Sequence, residues 1–282
     1  MGYWRQVLTR LSRNRLALVC GVFVAALVAV SALAPYITPY AYNEAHLGPE
    51  SSYQPPSLKY WMGTDDLGRD LFSRLIYSLR NALIISLGGT FLSLLIGGFL
   101  GAWAGYAGGR TDFIIMRFTD VVFAFPSFLF SIILVSGLGR GFPTMFLAVG
   151  ATSWVGMARL MRGQVISVKG LEYVELARSL GASGFHIITK YILPNTLGPL
   201  IVTITFSIPG GMMVESGLSM LGMGVQPPIP SFGTIIADGA AAMRSYPHLL
   251  VFPSVLFTIT LMAFTFLGDG LQDALSMNRK GD

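Results

Sequence analysis

The chain has 282 residues, 53% of them hydrophobic and only 12% charged, about half the charged fraction of an ordinary water-soluble domain, with a mean hydropathy of +0.63. A water-soluble globule is therefore excluded and an integral membrane protein expected. The net charge of +5 comes from basic residues scattered between apolar runs, with no basic stripe beside stacking aromatics; this argues against nucleic acid and for lipid anchoring and topology.

Six apolar stretches approach the roughly 20 residues a helix needs to cross a bilayer. They are residues 16–33 (continuing toward 37), 82–106, 113–137, 142–160, 197–224 and 248–267. None alternates as a strand would, and each is two to three times the length of a barrel strand. The first contains Cys20, read as a small apolar packing residue. It also ends in Ala32-Leu33-Ala34, which resembles a signal-peptide cleavage site. Its length and Pro35, directly after the scissile position, favour an uncleaved span. His46, His186 and His248 are far apart, and no His/Cys metal-ligand spacing occurs.

Lys and Arg set the orientation. With the N-terminus inside, the inner segments hold Arg5, Arg10, Arg13, Arg15, Arg110, Arg117, Arg159, Arg162, Lys169, Arg178, Lys190, Arg279 and Lys280. The outer ones hold Lys59, Arg69, Arg74, Arg80, Arg140 and Arg244. That bias predicts both termini on the inner side of the membrane. The expected organisation is a basic segment and first span (1–37), an outer segment (38–80), a five-helix core (81–272) and a cytoplasmic tail (273–282).

In the outer segment, Pro35, Pro39, Pro49, Pro55 and Pro56 precede a stretch in which Leu71, Leu75 and Leu79 recur one turn apart, predicting an interfacial helix before the second span. Asp65 and Asp66 are expected either to cap that helix or to meet a basic partner outside, with Arg69 beside them. Gly97, Gly101 and Gly105 recur every four residues, so one face of the second span is bare; close helix packing is the plain reading and pathway lining the functional one. Arg117 and Asp120, three apart in the third span, are expected to pair, with Asp120 a pathway candidate. Glu215 follows Pro209-Gly210-Gly211, which predicts a kink or unwound turn, and is equally a structural and a transport candidate. After it, Gln226, Pro227, Pro228 and Pro230 predict a stiff outer turn, with Gln226 and Pro227 candidate contacts for a partner outside.

The longest inner loop spans residues 162–196. Tyr173, Leu176, Ala177 and Leu180 share one helical face, and Glu172, Glu175 and Ser179 the opposite one. Gly181 reads as the left-handed residue ending that helix, and a second short helix is expected over 185–192, ending at Pro194. Such a finger can lie on lipid or dock in a groove on a soluble protein.

Glu175-Leu176-Ala177, three residues, Gly181, nine residues, then Tyr191 and Leu193-Pro194 resembles the EAA loop of ABC importer permeases, with Leu176 in place of an Ala and Tyr191 in place of an aliphatic residue. The stretch from Gly63 to Asp70 and the Leu218–Thr234 region are similar to the second permease subunit of dipeptide, oligopeptide and nickel importers. The resemblance covers nearly the whole chain. It implies an all-α, six-span type I ABC importer permease that pairs with a related permease. It also implies two cytoplasmic ATPases that bind ATP and Mg and receive the loop through Glu172, Glu175, Ala177, Gly181, Ala182, Leu193 and Pro194, and an extracytoplasmic binding protein that delivers the solute. The chain itself carries no P-loop and no catalytic constellation, so no cofactor of its own is expected. The alternative is a proton-coupled secondary carrier using Glu215 or Asp120.

Overall fold

The computed structural model describes residues 3–48 and 50–276. Pro49, Arg279, Lys280 and the end of the expected tail lie outside them. Within them the chain is helical, with a single isolated bridge between Thr64 and Asp70.

The chain opens with a helix that the apolar-run reading passes over, α1 (Tyr3–Arg13), basic in its last turn through Arg10 and Arg13. Asn14 separates it from α2 (Arg15–Ala32) and caps the latter, its side-chain oxygen accepting from the Ala17 amide at 3.1 Å. Pro35 does not end the first span outright: it sits in the first turn of a short α3 (Ala34–Ile37).

The expected interfacial helix does not exist as a separate element. α4 (Leu71–Ser93) runs through a π-helical turn (Leu94–Gly98) into α5 (Phe99–Ala107) as one 37-residue helix. Leu71, Leu75 and Leu79 are buried, at 1%, 0% and 0% exposure. They face Met212, Phe232 and Phe264 in the main core, so the stripe serves protein packing and not a lipid surface. The π turn adds a residue to one turn of the helix. It therefore brings Gly97 back onto the face already held by Gly89, toward the same neighbouring helix.

The predicted third span is two helices, α6 (Gly109–Phe123) and α7 (Ser127–Leu138), bent by 84°. Pro126 is the cause: it lacks an N–H and holds Phe125 away from helical geometry. α8 (Phe142–Lys169) is the hub, packed on α4, α5, α7 and α11. Next come α9 (Glu172–Ser179), α10 (Gly184–Ile187), a second π turn (Ile188–Ile192) and α11 (Leu193–Met220). The last three form one 37-residue helix, Gly184–Met220. Pro194 therefore does not end the short helix, as expected from the sequence; it lies in the first turn of α11, directly after the wider π turn. Nor does Pro209-Gly210-Gly211 unwind the span, because α11 is assigned as helix throughout. Gly211 is needed for proximity instead, since a side chain there would meet Ser86 and Val149. α12 (Phe232–Ala242) and α13 (His248–Ser276) complete the fold, α13 packing on α2, α11 and α12.

Among the described residues four helices are long and apolar enough to cross a membrane, and five if the bent α6–α7 pair is one span. α8, 28 residues long, is not among them; it carries Arg159, Arg162 and Lys169.

Candidate functional site

The inner loop folds into a two-helix finger. α9 ends in a Schellman turn: Ala182 N–H donates to the Ala177 carbonyl and Gly181 N–H to that of Arg178, both at 3.0 Å, with Gly181 at φ +86°. Only two residues then separate Gly181 from α10, whose N-cap, Ser183, accepts from the His186 amide at 3.3 Å. The finger is tied to the body by Val174, Ile187 and Ile192, all at most 1% exposed and clustered with Met161, Val165 and Leu200. Asn195 adds a polar tie, donating to the Tyr191 carbonyl at 2.6 Å and to the Tyr173 hydroxyl at 3.3 Å. Tyr106 closes the base: its hydroxyl would lie 2.8 Å from any side chain at Gly184, and its carbonyl accepts from Lys169 Nζ.

The rest of the finger faces outward. Glu172, Glu175 and Pro194 are exposed, while Ala177 and Ala182 are half-buried. Leu176, Leu180 and Phe185 are 62%, 81% and 78% exposed. The apolar face expected from the sequence thus splits. Val174, which that reading leaves out, is the anchor, and Leu176 and Leu180 are free. Leu193 sits at the joint with α11, half out of the fold.

The three spaced glycines form a seam against α8. An added methyl at Gly97 would lie 2.9 Å from the Ala158 amide nitrogen, one at Gly101 would meet the Ala158 carbonyl, and one at Gly105 would lie 2.9 Å from the Arg162 carbonyl oxygen. Steps of four on α5 meet steps of four on α8, so this face packs backbone on backbone and is closed to solute.

Beside the seam lie ion pairs that sequence spacing misses. Asp120 takes its short contact from Arg159, at 2.8 Å, not from Arg117, which stands 3.9 Å away. Arg162 holds Asp112 through two guanidinium nitrogens. The cue available in the sequence was the pair Arg159 and Arg162, one turn apart after a long apolar run.

Glu215 is fully enclosed. Ser219 donates to its Oε1 at 2.9 Å and Ser216 to its Oε2 at 3.2 Å. It sits beneath the start of α12, where Ser231 caps the helix and Gly233 lies against the Ser216 carbonyl. Asn81 ties the same loop down by donating to the Pro230 carbonyl at 2.9 Å. The arrangement binds α11, α4 and the α12 entry together.

Outside, the helix cap is Asp70 and neither Asp65 nor Asp66: its Oδ2 accepts from the Ser73 amide at 2.8 Å and the Ser73 hydroxyl at 2.6 Å. Burial pushes the Asp70 carboxyl above its ordinary range, opposed by those Ser73 donors. Asp65 organises the loop, accepting from the amides of Leu67 and Arg69 at 3.0 and 2.9 Å and from Arg69 Nε at 2.7 Å, with Arg74 Nε at 3.3 Å. Asp66 is the looser partner of Arg69, at 3.4 Å. Gly63 and Gly68, at φ +84° and +71°, let the loop close against Gln54 and His46. Gln226 and Pro227 are exposed, and the Gln226 side chain donates to the nearby Gly224 carbonyl at 3.2 Å.

Comparison with known proteins agrees with this architecture. Residues 97–280 match the profile of binding-protein-dependent transport system inner membrane components, and residues 2–56 that of the N-terminal TM domain of oligopeptide transport permease C. The chain is 39% identical to the oligopeptide transport system permease protein OppC of Bacillus subtilis (strain 168), over 98% of this chain and 90% of that one. It is 40% identical to the dipeptide transport system permease protein DppC of the same organism, over 98% and 86%. It is 38% identical to the glutathione transport system permease protein GsiD of Pectobacterium atrosepticum, over 98% and 92%. In structure it resembles a chain of the MetNI methionine ABC transporter in an inward-facing conformation, with a TM-score of 0.57 at 16% identity, over 72% of this chain and 96% of that one. A transport fold, a family profile spanning the core and relatives matched nearly end to end lead to one assignment: the chain belongs to the binding-protein-dependent transport system inner membrane components, the membrane-embedded permeases of ABC importers.

Proposed function

We propose that this chain is one of two permease subunits of an ATP-driven importer of peptides or closely related small solutes. In this reading it crosses the membrane six times, with α8 and the bent α6–α7 pair completing the four clear spans, and keeps both termini in the cytoplasm. A related permease supplies the other half of the pathway. Two ATPase subunits bind ATP and Mg, and an extracytoplasmic binding protein brings the solute. The names of the relatives, oligopeptide, dipeptide and glutathione permeases, support the solute class.

The observation that carries the proposal is the finger. It presents three large apolar side chains, Leu176 and Leu180 from the short α9 with its closing turn and Phe185 from the first turn of the long helix that α10 opens, fixed by a Schellman turn and anchored to α8 and α11. A short rigid element docked in an ATPase cleft passes on rigid-body motion, which a floppy loop would absorb. The relatives give no support to the proton-coupled carrier, and the serine-bound Glu215 is accounted for by packing.

The test is coupling in vesicles that hold the full assembly. Glu175→Ala and Gly181→Val are expected to leave ATP hydrolysis measurable while cutting uptake by at least about tenfold, the scale of losing one well-made contact. A cysteine at position 180 is expected to cross-link to the ATPase. Normal uptake in both variants, with cross-links to lipid alone, would refute the docking role.

A further inference from the structure

The charged face between α6 and α8 is unusual for a membrane protein. Arg117, Asp120 and Arg159 are 69%, 49% and 38% exposed at their side chains, yet the first two stand on α6, which with α7 forms a bent pair apolar and long enough to enter a bilayer, and the third faces them from α8. Ions exposed to hydrocarbon are strongly disfavoured, so on such a pair this face meets water or another protein group.

The charges do not balance. One carboxylate serves two guanidinium groups, and Arg159 holds it at 2.8 Å while Arg117 stays 3.9 Å off. Arg117 makes no hydrogen bond among the described residues. Its guanidinium lies 5.0 Å from the centre of the Phe113 ring, and that of Arg159 lies 4.0 Å from the Phe123 ring. The rings support the flat faces of the cations and leave their N–H edges outward. The result is a surplus positive charge with free donors on a partly wet aromatic shelf.

We infer that Arg117, steadied by Asp120 and Arg159, is a transit contact for acidic side chains of the solute on the translocation path. This rests on the importer reading above and names a chemical preference within it. A guanidinium suits the role because it pairs with carboxylates in a fork and is weakly hydrated. Its exposure suits the role too, since a group on a path must release what it holds.

The experiment uses the complete assembly in vesicles with ATP and three peptides, Ala-Glu-Ala, Ala-Gln-Ala and Ala-Lys-Ala, each saturating the binding protein. Arg117→Gln is expected to slow Ala-Glu-Ala about fivefold more than Ala-Lys-Ala, with Ala-Gln-Ala between, as losing one charge-assisted contact would. Arg117→Lys is expected to restore most of the difference. Equal slowing of all three peptides would assign Arg117 to pairing with a neighbouring subunit or to folding and overturn the inference, as would no slowing at all; either leaves the importer reading standing. A wild-type assembly that moves none of the three on ATP overturns both together.

Discussion

The two flanks of α8 hold their neighbours by opposite means. Toward α5 the contact is backbone on backbone: Gly97, Gly101 and Gly105 admit no side chain, and Ala158 is fully buried. Toward α6 two ion pairs, Asp112–Arg162 and Asp120–Arg159, join a ring contact between Phe118 and Trp154, with the phenylalanines of α6 otherwise largely exposed. The first surface has one workable spacing, because a close-packed interface tolerates neither gap nor insertion. The second is adjustable, because ion pairs between partly exposed side chains tolerate small shifts.

Perturbing each flank tests that contrast. The largest effect is expected from Gly101→Val, which drives a branched side chain into the Ala158 carbonyl. The cost should be at the upper end of overpacking, about 3 kcal/mol, visible as a large drop in the melting temperature of the purified assembly or its failure to assemble. An unchanged melting temperature would show that the seam is loose. Next is the Asp112–Arg162 pair. A double-mutant cycle with Asp112→Asn and Arg162→Gln is expected to return a coupling of about 1 kcal/mol that weakens in salt. Smallest is Asp120→Asn. Paired in water at a half-exposed site, it should cost about 0.5 kcal/mol or less. A cost of several kcal/mol would mean that this face meets hydrocarbon, contrary to the contrast drawn here.

Much of the finger was legible because its signals are local. Gly181 needs a left-handed backbone, and a helix of eight residues ends where that need arises. The glycine spacing was legible for the same reason, as one face without side chains. What escaped was whatever depends on a partner far along the chain. Asp120 chooses Arg159, 39 residues away, over Arg117 three away, because α8 brings the former closer. The Leu71, Leu75, Leu79 stripe looks the same whether it faces lipid or the core, and only the arrival of α11 and α12 decides. Val174 was overlooked because α9 buries a single point and has no repeat to display. The bend at Pro126 was missed through reliance on apolarity, which records that residues avoid water but not the direction of the chain. Pro194 misled in the other sense, as a proline can open a helix as readily as close one.

The π-helical turn at Leu94–Gly98 has a consequence for how this chain tolerates change in length. Residues before it, such as Gly89, and after it, such as Gly101, address the same neighbour only because the turn holds one residue more than an α-helix would. Were the turn to relax to ordinary pitch with all its residues in place, everything downstream would swing by about 100° and Leu100 would be aimed where Gly101 now sits. Deleting one of the five other than Gly97 removes the surplus instead: the helix regains ordinary pitch and the seam glycines beyond it keep their direction. The turn is therefore a place where a missing codon should be absorbed, whereas the same loss between Gly101 and Gly105 should be as damaging as an error in the seam itself.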